Sequence, residues 1–217
     1  LAAYRNCARP FSEEELTRLG RLFPSKQYEI LRWDLLQSFY LDPLFQKDPR
    51  QGTLAHELYF RFRGQYAFDS RLIPQESGIL GGLYTIRGYP QAIVAGDTVL
   101  IGNAEYRLHV PYLLGFDPNP QPLFGIGEPF RISPQFGYGS ADWDLILRAF
   151  FDIGQTIQSD PLFFEQNDFL MGAGIGFEVQ VRRNLNIRVD WGFALKEIPG
   201  LVNEGSNRLY FVGTLSF

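Results

Sequence analysis

The C-terminal part of the chain alternates between apolar and polar residues with a period of two, and this pattern constrains the fold more than any other feature. Every odd position from 171 to 181 carries an apolar side chain, whereas the even positions carry only Gly, Glu and Gln. After a four-residue turn at 182–185, the odd positions from 187 to 195 are again apolar. Successive side chains of a β-strand point to opposite faces of the sheet. The two runs therefore predict a hairpin with one apolar and one polar face.

The same alternation recurs upstream, and the complete reading predicts seven strands. Most of them are longer than the five or six residues that are usual in soluble proteins, and such lengths suffice to cross a bilayer when the strand is tilted. The predicted strands cover residues 28–40, 57–69, 100–110, 144–154, 171–181, 187–195 and 209–217.

Composition supports an all-β class and argues against several functions. The chain has 20 Phe, 11 Tyr, 3 Trp and 22 Gly but only one Met, a bias that favours strands and tight turns. A formal charge of -4 gives no electrostatic support for nucleic-acid binding. Cys7 is the single cysteine, and His56 and His109 are the only histidines, so we expect no disulfide, metal or cofactor. No nucleophile elbow surrounds any serine, and we expect no catalytic residue and no enzyme activity.

The apolar faces are free of charge over five to six successive alternate positions, and the polar faces carry charges of both signs. A charge on the lipid face near the bilayer midplane costs about 2 to 4 kcal/mol, so a membrane barrel would select this pattern. Apolar runs are too short for a spanning helix, and any membrane span here must be a strand. The pattern favours a membrane barrel, while a soluble β domain with the same alternation stays the alternative.

Seven strands do not close a bacterial single-chain barrel, which has an even number. An open edge in lipid leaves backbone groups without hydrogen bonds, at several kcal/mol each. We therefore expect either a further strand within residues 1–27 or strands supplied by another segment. The chain begins at Leu1 without an initiator Met or a leader pattern, as a mature product or a piece of a longer protein would.

Residues 1–27 are predicted to form a surface loop with a short helix, because Ser12 is followed by three glutamates and by leucines at helical spacing. Residues 28–217 are predicted to form the transmembrane strands. Two long connections interrupt them, at 71–97 and at the Pro-rich 111–143. Long connections of this kind are commonly functional.

The segment Leu-Gly-Gly-Leu-Tyr-Thr-Ile-Arg-Gly-Tyr at 80–89 resembles the (V/I)-R-G-(F/Y) motif of the BamA/TamA-like outer-membrane superfamily. With Gly96-Asp97 behind it, the segment is most similar to the two-partner-secretion branch, the TpsB (ShlB/FhaC/HecB) hemolysin-activator transporters. Three further features occur in the order of that family: Asn-Ala-Glu-Tyr-Arg at 103–107, Phe-Phe-Asp-Ile-Gly at 150–154, which resembles F-x-D-x-G, and a terminal Phe217.

The resemblance implies a fold, a location and a function. The family fold is a 16-stranded transmembrane antiparallel β-barrel of the bacterial outer membrane, and the seven predicted strands correspond to its last seven. The loop at 71–97 would then fold back into the lumen, with the 182–185 turn periplasmic and the 155–169 loop extracellular. The implied partners are outer-membrane lipid, a secreted polypeptide client and an N-terminal barrel and POTRA portion, or other subunits, since neither POTRA modules nor about nine strands are recognisable here.

The implied function is a polypeptide translocation pore of the two-partner-secretion type. An insertase for other outer-membrane proteins is the alternative within the superfamily. A third possibility is a barrel subunit that anchors a larger membrane complex without transporting anything.

The resemblance also implies which residues tether the loop. Arg87 is expected to pair with Asp152 inside the lumen. Glu178 and Asp190 on neighbouring inward faces are possible second acceptors, although a role as charges that line the lumen is the favoured interpretation of both. A bidentate guanidinium–carboxylate pair would pin the loop to the wall. The alternative is two solvated charges, which contribute little.

Four further residues complete the predicted site. Gly88 is expected to permit a backbone turn that a Cβ would obstruct, and Tyr89 to pack or hydrogen-bond against the lumen wall. Gly154 belongs to the F-x-D-x-G segment, and Phe217 resembles the outer-membrane assembly signal. The alternating glycines at 172, 174 and 176 are interpreted as a smooth lumen wall, since no helix follows them as it would in a dinucleotide-binding loop.

Overall fold

An antiparallel sheet of eight strands dominates the computed structural model, which describes residues 2–5 (backbone only), 15, 17–45, 53–122 and 128–217. In spatial order the strands are β1, β2, β3, β6, β9, β10, β11 and β12. Their bounds are β1 Ala2–Arg5, β2 Glu29–Tyr40, β3 His56–Tyr66, β6 Thr98–His109, β9 Trp143–Ile157, β10 Phe169–Val181, β11 Leu185–Ala194 and β12 Asn207–Leu215. The all-β class predicted from the sequence is confirmed.

The sheet is open in the part of the chain that the structure describes. Strands β1 and β12 occupy its two ends, and no pairing joins them. The seven predicted strands correspond to β2, β3, β6 and β9 to β12, and β1 is an eighth strand. Its first residue, Ala2, pairs with Arg32 of β2. Residues 2–5 therefore form the further strand that was one of the two expectations for residues 1–27, in place of a surface loop at these positions. A four-residue strand is too short to show a period, and its backbone pairing is what places it in the sheet.

The connections contain small elements of their own. Two hairpins interrupt the long connections: β4 (Gly78–Leu80) pairs with β5 (Val94–Gly96), and β7 (Gln121–Pro122) with β8 (Pro129–Phe130). A 3₁₀ turn, Val110–Leu113, follows β6, and a one-turn helix, Asp42–Phe45, follows β2. Of the helix predicted after Ser12, the described residues Glu15 and Thr17 are helical, and turns follow from residue 18. Residues 6–14 and 16 lie outside the described residues.

The two faces of the sheet differ in an unusual way, because the charged face is covered and the apolar face is exposed. Along β9 the charged-face residues Arg148 and Asp152 are 3% and 0% exposed, whereas Leu147 and Phe151 on the opposite face are 44% and 42% exposed. The interior of an ordinary soluble β domain has the reverse arrangement.

The apolar face forms a continuous belt across seven strands. One row of mutually paired residues runs through Phe39, Leu58, Tyr106, Ala149, Ile175, Trp191 and Leu209. In the interiors of these seven strands, no position on this face is Asp, Glu, Lys or Arg. Water-soluble monomers rarely expose contiguous apolar areas of more than a few hundred Å². Exposed apolar areas of this extent are typical of surfaces that contact lipid or another protein.

The charged face is covered by the connection between β3 and β6. Residues 67–97 fold back over it and contribute to the main apolar cluster at one end of the sheet, which we call the tether end. Connections 158–168 and 195–206 lie at the same end, because neighbouring strands are antiparallel. The cluster is made of Leu80, Ile86, Tyr89, Val94, Val99, Ile101, Leu170, Ala194, Ile198 and Val202. No helix among the described residues has both the length and the apolar character that crossing a membrane requires.

Candidate functional site

Arg87 is the centre of the candidate site, and it lies between the covering loop and the charged face of the sheet. Its side chain is 2% exposed. Arg87 Nε and Nη2 each donate to a different Asp152 oxygen at 2.7 Å, and the Arg87 backbone N–H donates to Asp152 at 3.1 Å. The structure therefore brings the two residues of the predicted tether together in a bidentate pair, which Asn103 extends by donating to Asp152 Oδ1 at 2.8 Å.

A second carboxylate, which was not predicted as a partner of Arg87, completes the set of acceptors around its guanidinium group. Arg87 Nη1 donates to Glu105 Oε1 at 2.6 Å. Asp190, a predicted second acceptor, lies farther from Nη1, at 3.4 Å. The other predicted acceptor, Glu178, does not contact Arg87; it accepts hydrogen bonds from Gln180 and Asn186. The structure therefore does not bring Glu178 to Arg87; Glu178 Oε2 lies 3.6 Å from Arg148 Nη1 instead.

The ring of Phe150 closes the remaining side of the guanidinium. Arg87 Cζ lies 3.5 Å from the centroid of this ring, a cation–π distance. Phe150 belongs to the predicted F-x-D-x-G segment, and strand periodicity places it on the same face as Asp152. The guanidinium therefore has carboxylates at its edges and an aromatic ring on one face.

Gly88 holds the loop backbone against β11. Its φ of +98° is a conformation that glycine adopts readily, and a Cβ there would lie 2.5 Å from the Phe193 carbonyl carbon. Tyr210 fixes this backbone from β12: its hydroxyl accepts from the Gly88 N–H at 3.1 Å and donates to the Tyr89 carbonyl at 2.8 Å. Tyr210 was not predicted as part of the site, although the sequence pattern places it on the polar face of the last strand.

Tyr89 is fully buried and joins the loop to two strand ends. Its hydroxyl lies 2.6 Å from the Lys196 carbonyl oxygen and 3.0 Å from that of Met171. Burial raises the pKa of the Tyr89 hydroxyl, which stays a hydrogen-bond donor. Tyr89 therefore makes its predicted contact with the sheet through these two hydrogen bonds.

Two glycines of the sheet make room for the loop. A Cβ at Gly154 would lie 2.9 Å from Ile86 Cδ1, and a Cβ at Gly172 would lie 2.0 Å from the Arg87 carbonyl oxygen. Gly172 was interpreted from the sequence as part of a smooth lumen wall. In the structure, its missing side chain leaves the space that the backbone of the tethered loop occupies. Its neighbour in the pattern, Gly174, lies instead against the Trp191 carbonyl.

The arrangement can position a loop. Arg87 and its three carboxylates are buried, so each charge depends on the others for compensation. Within the described ranges, no group of three or more His, Cys, Asp and Glu side chains could hold a metal ion.

A second ionic cluster ties other connections together at the tether end. Asp97 is fully buried and accepts hydrogen bonds from Arg21, from the Leu72 N–H and from the Ser159 N–H. Arg71 binds both oxygens of Glu165 at 2.5 and 2.8 Å. We call the cluster of Arg21, Arg71, Asp97 and Glu165 the clamp. It joins residues 17–25, 67–77 and 158–165, three segments that no strand pairing connects.

The Glu165 carboxyl makes the clamp sensitive to acid. Burial alone would raise its pKa, but hydrogen bonds from Arg71 and the Leu162 N–H, with the charges of Arg21 and Arg71, lower the pKa to about 2, from an ordinary value of 4.5. A lowered folded-state pKa means that the ionised form is the stabilising one. Its contribution is complete above about pH 4.5 and is lost as the pH falls towards 2.

Glu165→Gln should therefore lower the thermal unfolding temperature at neutral pH. We expect the difference between parent and variant to stay constant from pH 7 to about 4.5 and to disappear near pH 2. Thermal scans in detergent across this range measure the difference. Glu204→Gln, at an exposed position, is the control; a difference curve for Glu165→Gln that is flat down to pH 2 would contradict the assignment.

Phe217 lies two residues beyond the end of β12 and is fully exposed. The predicted last strand therefore ends at Leu215 rather than at the C-terminal residue, and Phe217 contributes to neither the tether nor the clamp. The proposed assembly signal stays a prediction.

Comparisons of this chain with models of protein families, with curated proteins and with solved structures found no match.

Proposed function

We propose that this chain is part of a β-barrel of the bacterial outer membrane that conducts an unfolded polypeptide outward, as two-partner-secretion transporters do. One observation carries the proposal: a loop with the sequence Ile-Arg-Gly-Tyr is tethered by Arg87 to Asp152 on the charged face of a sheet whose other face is apolar and exposed. A wet, charged lumen and a lipid-facing exterior would account for both faces.

In this proposal the loop is a conformational element. It occupies the charged face, which is the path that a polypeptide would follow, and it is held by the contacts of Arg87, Gly88 and Tyr89 and by the apolar cluster at the tether end. Movement of the loop would break these contacts and leave the pairing of the long strands intact. Energy for transport would come from folding of the client outside the cell.

A secretion assay tests the proposal directly. Arg87→Ala should abolish secretion of the client, taken as a large polypeptide encoded next to this gene, while the barrel still inserts into the outer membrane. Secretion is measured in the culture medium, and insertion by the heat-modifiable migration of the barrel. Arg183→Ala, on the exposed turn after β10, is the matched control. Secretion at the parental level by Arg87→Ala would remove the mechanism.

A second candidate is a non-transporting subunit that anchors a larger membrane complex. The open edges of the sheet at β1 and β12 favour it, because unpaired edges in lipid require strands from elsewhere. The two candidates differ in whether any polypeptide leaves the cell when the complex is complete. An insertase differs from both in its client, which would be another outer-membrane protein.

A further inference from the structure

A small pocket rich in arginine lies beside the tether on the charged face. Five guanidinium groups line it, together with a single carboxylate; the residues are Arg61, Arg63, Arg87, Arg107, Arg188 and Glu105. Its volume is about 70 Å³, which is enough for a carboxylate group.

Four of these arginines already have carboxylate partners. Arg87 is held by Asp152 and Glu105, as described above. Arg107 donates through Nε and Nη2 to Glu105 at 2.9 and 2.8 Å. In the same way Arg188 donates twice to Asp190, at 2.9 and 2.7 Å, and Arg61 forms an ion pair with Asp34. These ion pairs hold the side chains that line the pocket in place, and Arg87 and Arg107 compensate the charge of Glu105.

Arg63 is different. Among the residues that the structure describes, no carboxylate lies within ion-pair distance of its guanidinium, and its Nε is buried without a hydrogen-bond acceptor. Burial and the neighbouring charge of Arg61 both disfavour a guanidinium in this position. A buried donor without an acceptor costs free energy that a bound anion would recover.

We propose that the arginine pocket binds the side-chain carboxylates of Asp and Glu residues in the polypeptide that passes along the charged face. The inference rests on the proposed function and gives it a substrate chemistry, namely acidic segments. Arg63 supplies the free donor, and the remaining arginines supply a positive wall whose geometry is already fixed by ion pairs. Arginine is suited to this role because its planar fork binds carboxylates with two parallel hydrogen bonds.

The test measures binding of short peptides to the protein as it is purified from membranes in detergent. The probes are fluorescent hexa-aspartate, hexa-serine and hexa-lysine peptides with blocked termini, with acetate as the free carboxylate. We expect hexa-aspartate to bind more tightly than the other two peptides and more weakly as salt is added. Acetate should compete only at much higher concentration, which distinguishes a polypeptide site from one for small anions. Equal binding of hexa-aspartate and hexa-serine would overturn the proposal.

Arg63→Gln should weaken hexa-aspartate binding about tenfold, the equivalent of one charge-assisted hydrogen bond. Arg183→Gln, exposed and outside the pocket, should leave it unchanged. Equal losses in the two variants would count against the pocket.

A measurement on the parent protein avoids any effect of substitution on folding. Hexa-aspartate should protect Arg63 from modification by phenylglyoxal, mapped by mass spectrometry, while Arg183 continues to react; an unprotected Arg63 would also overturn the proposal. The outcomes remain separable from the secretion assay. Peptide binding with no secretion by the parent protein would count against transport alone, and secretion without peptide binding would count against the pocket alone.

Discussion

Replacement of Arg87 by methionine is expected to release the covering loop from the sheet. Methionine preserves much of the side-chain length but leaves Asp152, which is fully buried, with Asn103 as its remaining side-chain donor. Removal of one partner of a buried ion pair costs about 3 to 5 kcal/mol, because the other charge stays buried without compensation. Glu105 and Asp190 are less affected, since Arg107, Arg148 and Arg188 still contact them.

Hydrogen exchange measures this loss at the loop itself. Amides of residues 85–89 should exchange about a hundredfold faster or more in Arg87→Met, while amides in the middle of β10 and β11 change little. Arg183→Met is the control for a surface arginine. The double variant Arg87→Met/Asp152→Asn should be less destabilised than the sum of the single variants, because it removes both charges together. Unchanged exchange in residues 85–89 would mean that the ion pairs do not hold the loop.

The long strands could be predicted from the sequence because the alternation of side chains is a local property. Each of β9 to β12 shows its two faces within a single run of residues, and each occurs within two or three residues of its predicted bounds. The pattern also assigned Arg148, Asp152 and Asp190 to the polar face, where the structure has them buried. It could not show that this face is the covered one, because that depends on where the loop of residues 67–97 folds.

The partners of Arg87 could be predicted only in part. Asp152 was found through a motif, but Glu105 and Tyr210 were missed, although both lie on the predicted polar face. Which polar residue meets the guanidinium depends on the register between strands and on the path of the loop. The Asn103–Asp152 register, for example, brings β6 and its Glu105 beside the tether, and no sequence period encodes that alignment.

The clamp of Arg21, Arg71, Asp97 and Glu165 left no signal in the sequence. Its members lie in three different connections, separated by up to 144 positions. Charges in loops are most often solvated, and composition does not separate a buried cluster from a surface one. The sequence shows that positions 154 and 172 are glycines. It does not show the close approach of Ile86 and Arg87 that these glycines allow, because that approach is a tertiary contact.

Replacement of Ile175 by arginine tests what covers the apolar belt. Ile175 is 58% exposed on this face and lies between Ala149 and Trp191 in neighbouring strands. If the belt contacts hydrocarbon, Ile175→Arg should cost about 2 to 4 kcal/mol near the bilayer midplane and reduce the folded, heat-modifiable fraction strongly. If water covers the belt, the same change at an exposed position should alter stability by about 0.5 kcal/mol or less.

Phe163→Arg provides the matched control, because Phe163 is completely exposed in the 158–168 connection and outside the belt. Under the membrane hypothesis this variant should insert as the parent does, since its side chain lies beyond the strands. Folding into liposomes, with the folded fraction read from heat-modifiable migration, compares the two variants under identical conditions. Equal folded fractions for Ile175→Arg and Phe163→Arg would show that the belt does not face hydrocarbon, and the lumen, the tethered loop within it and the transport route would then lose their physical basis together.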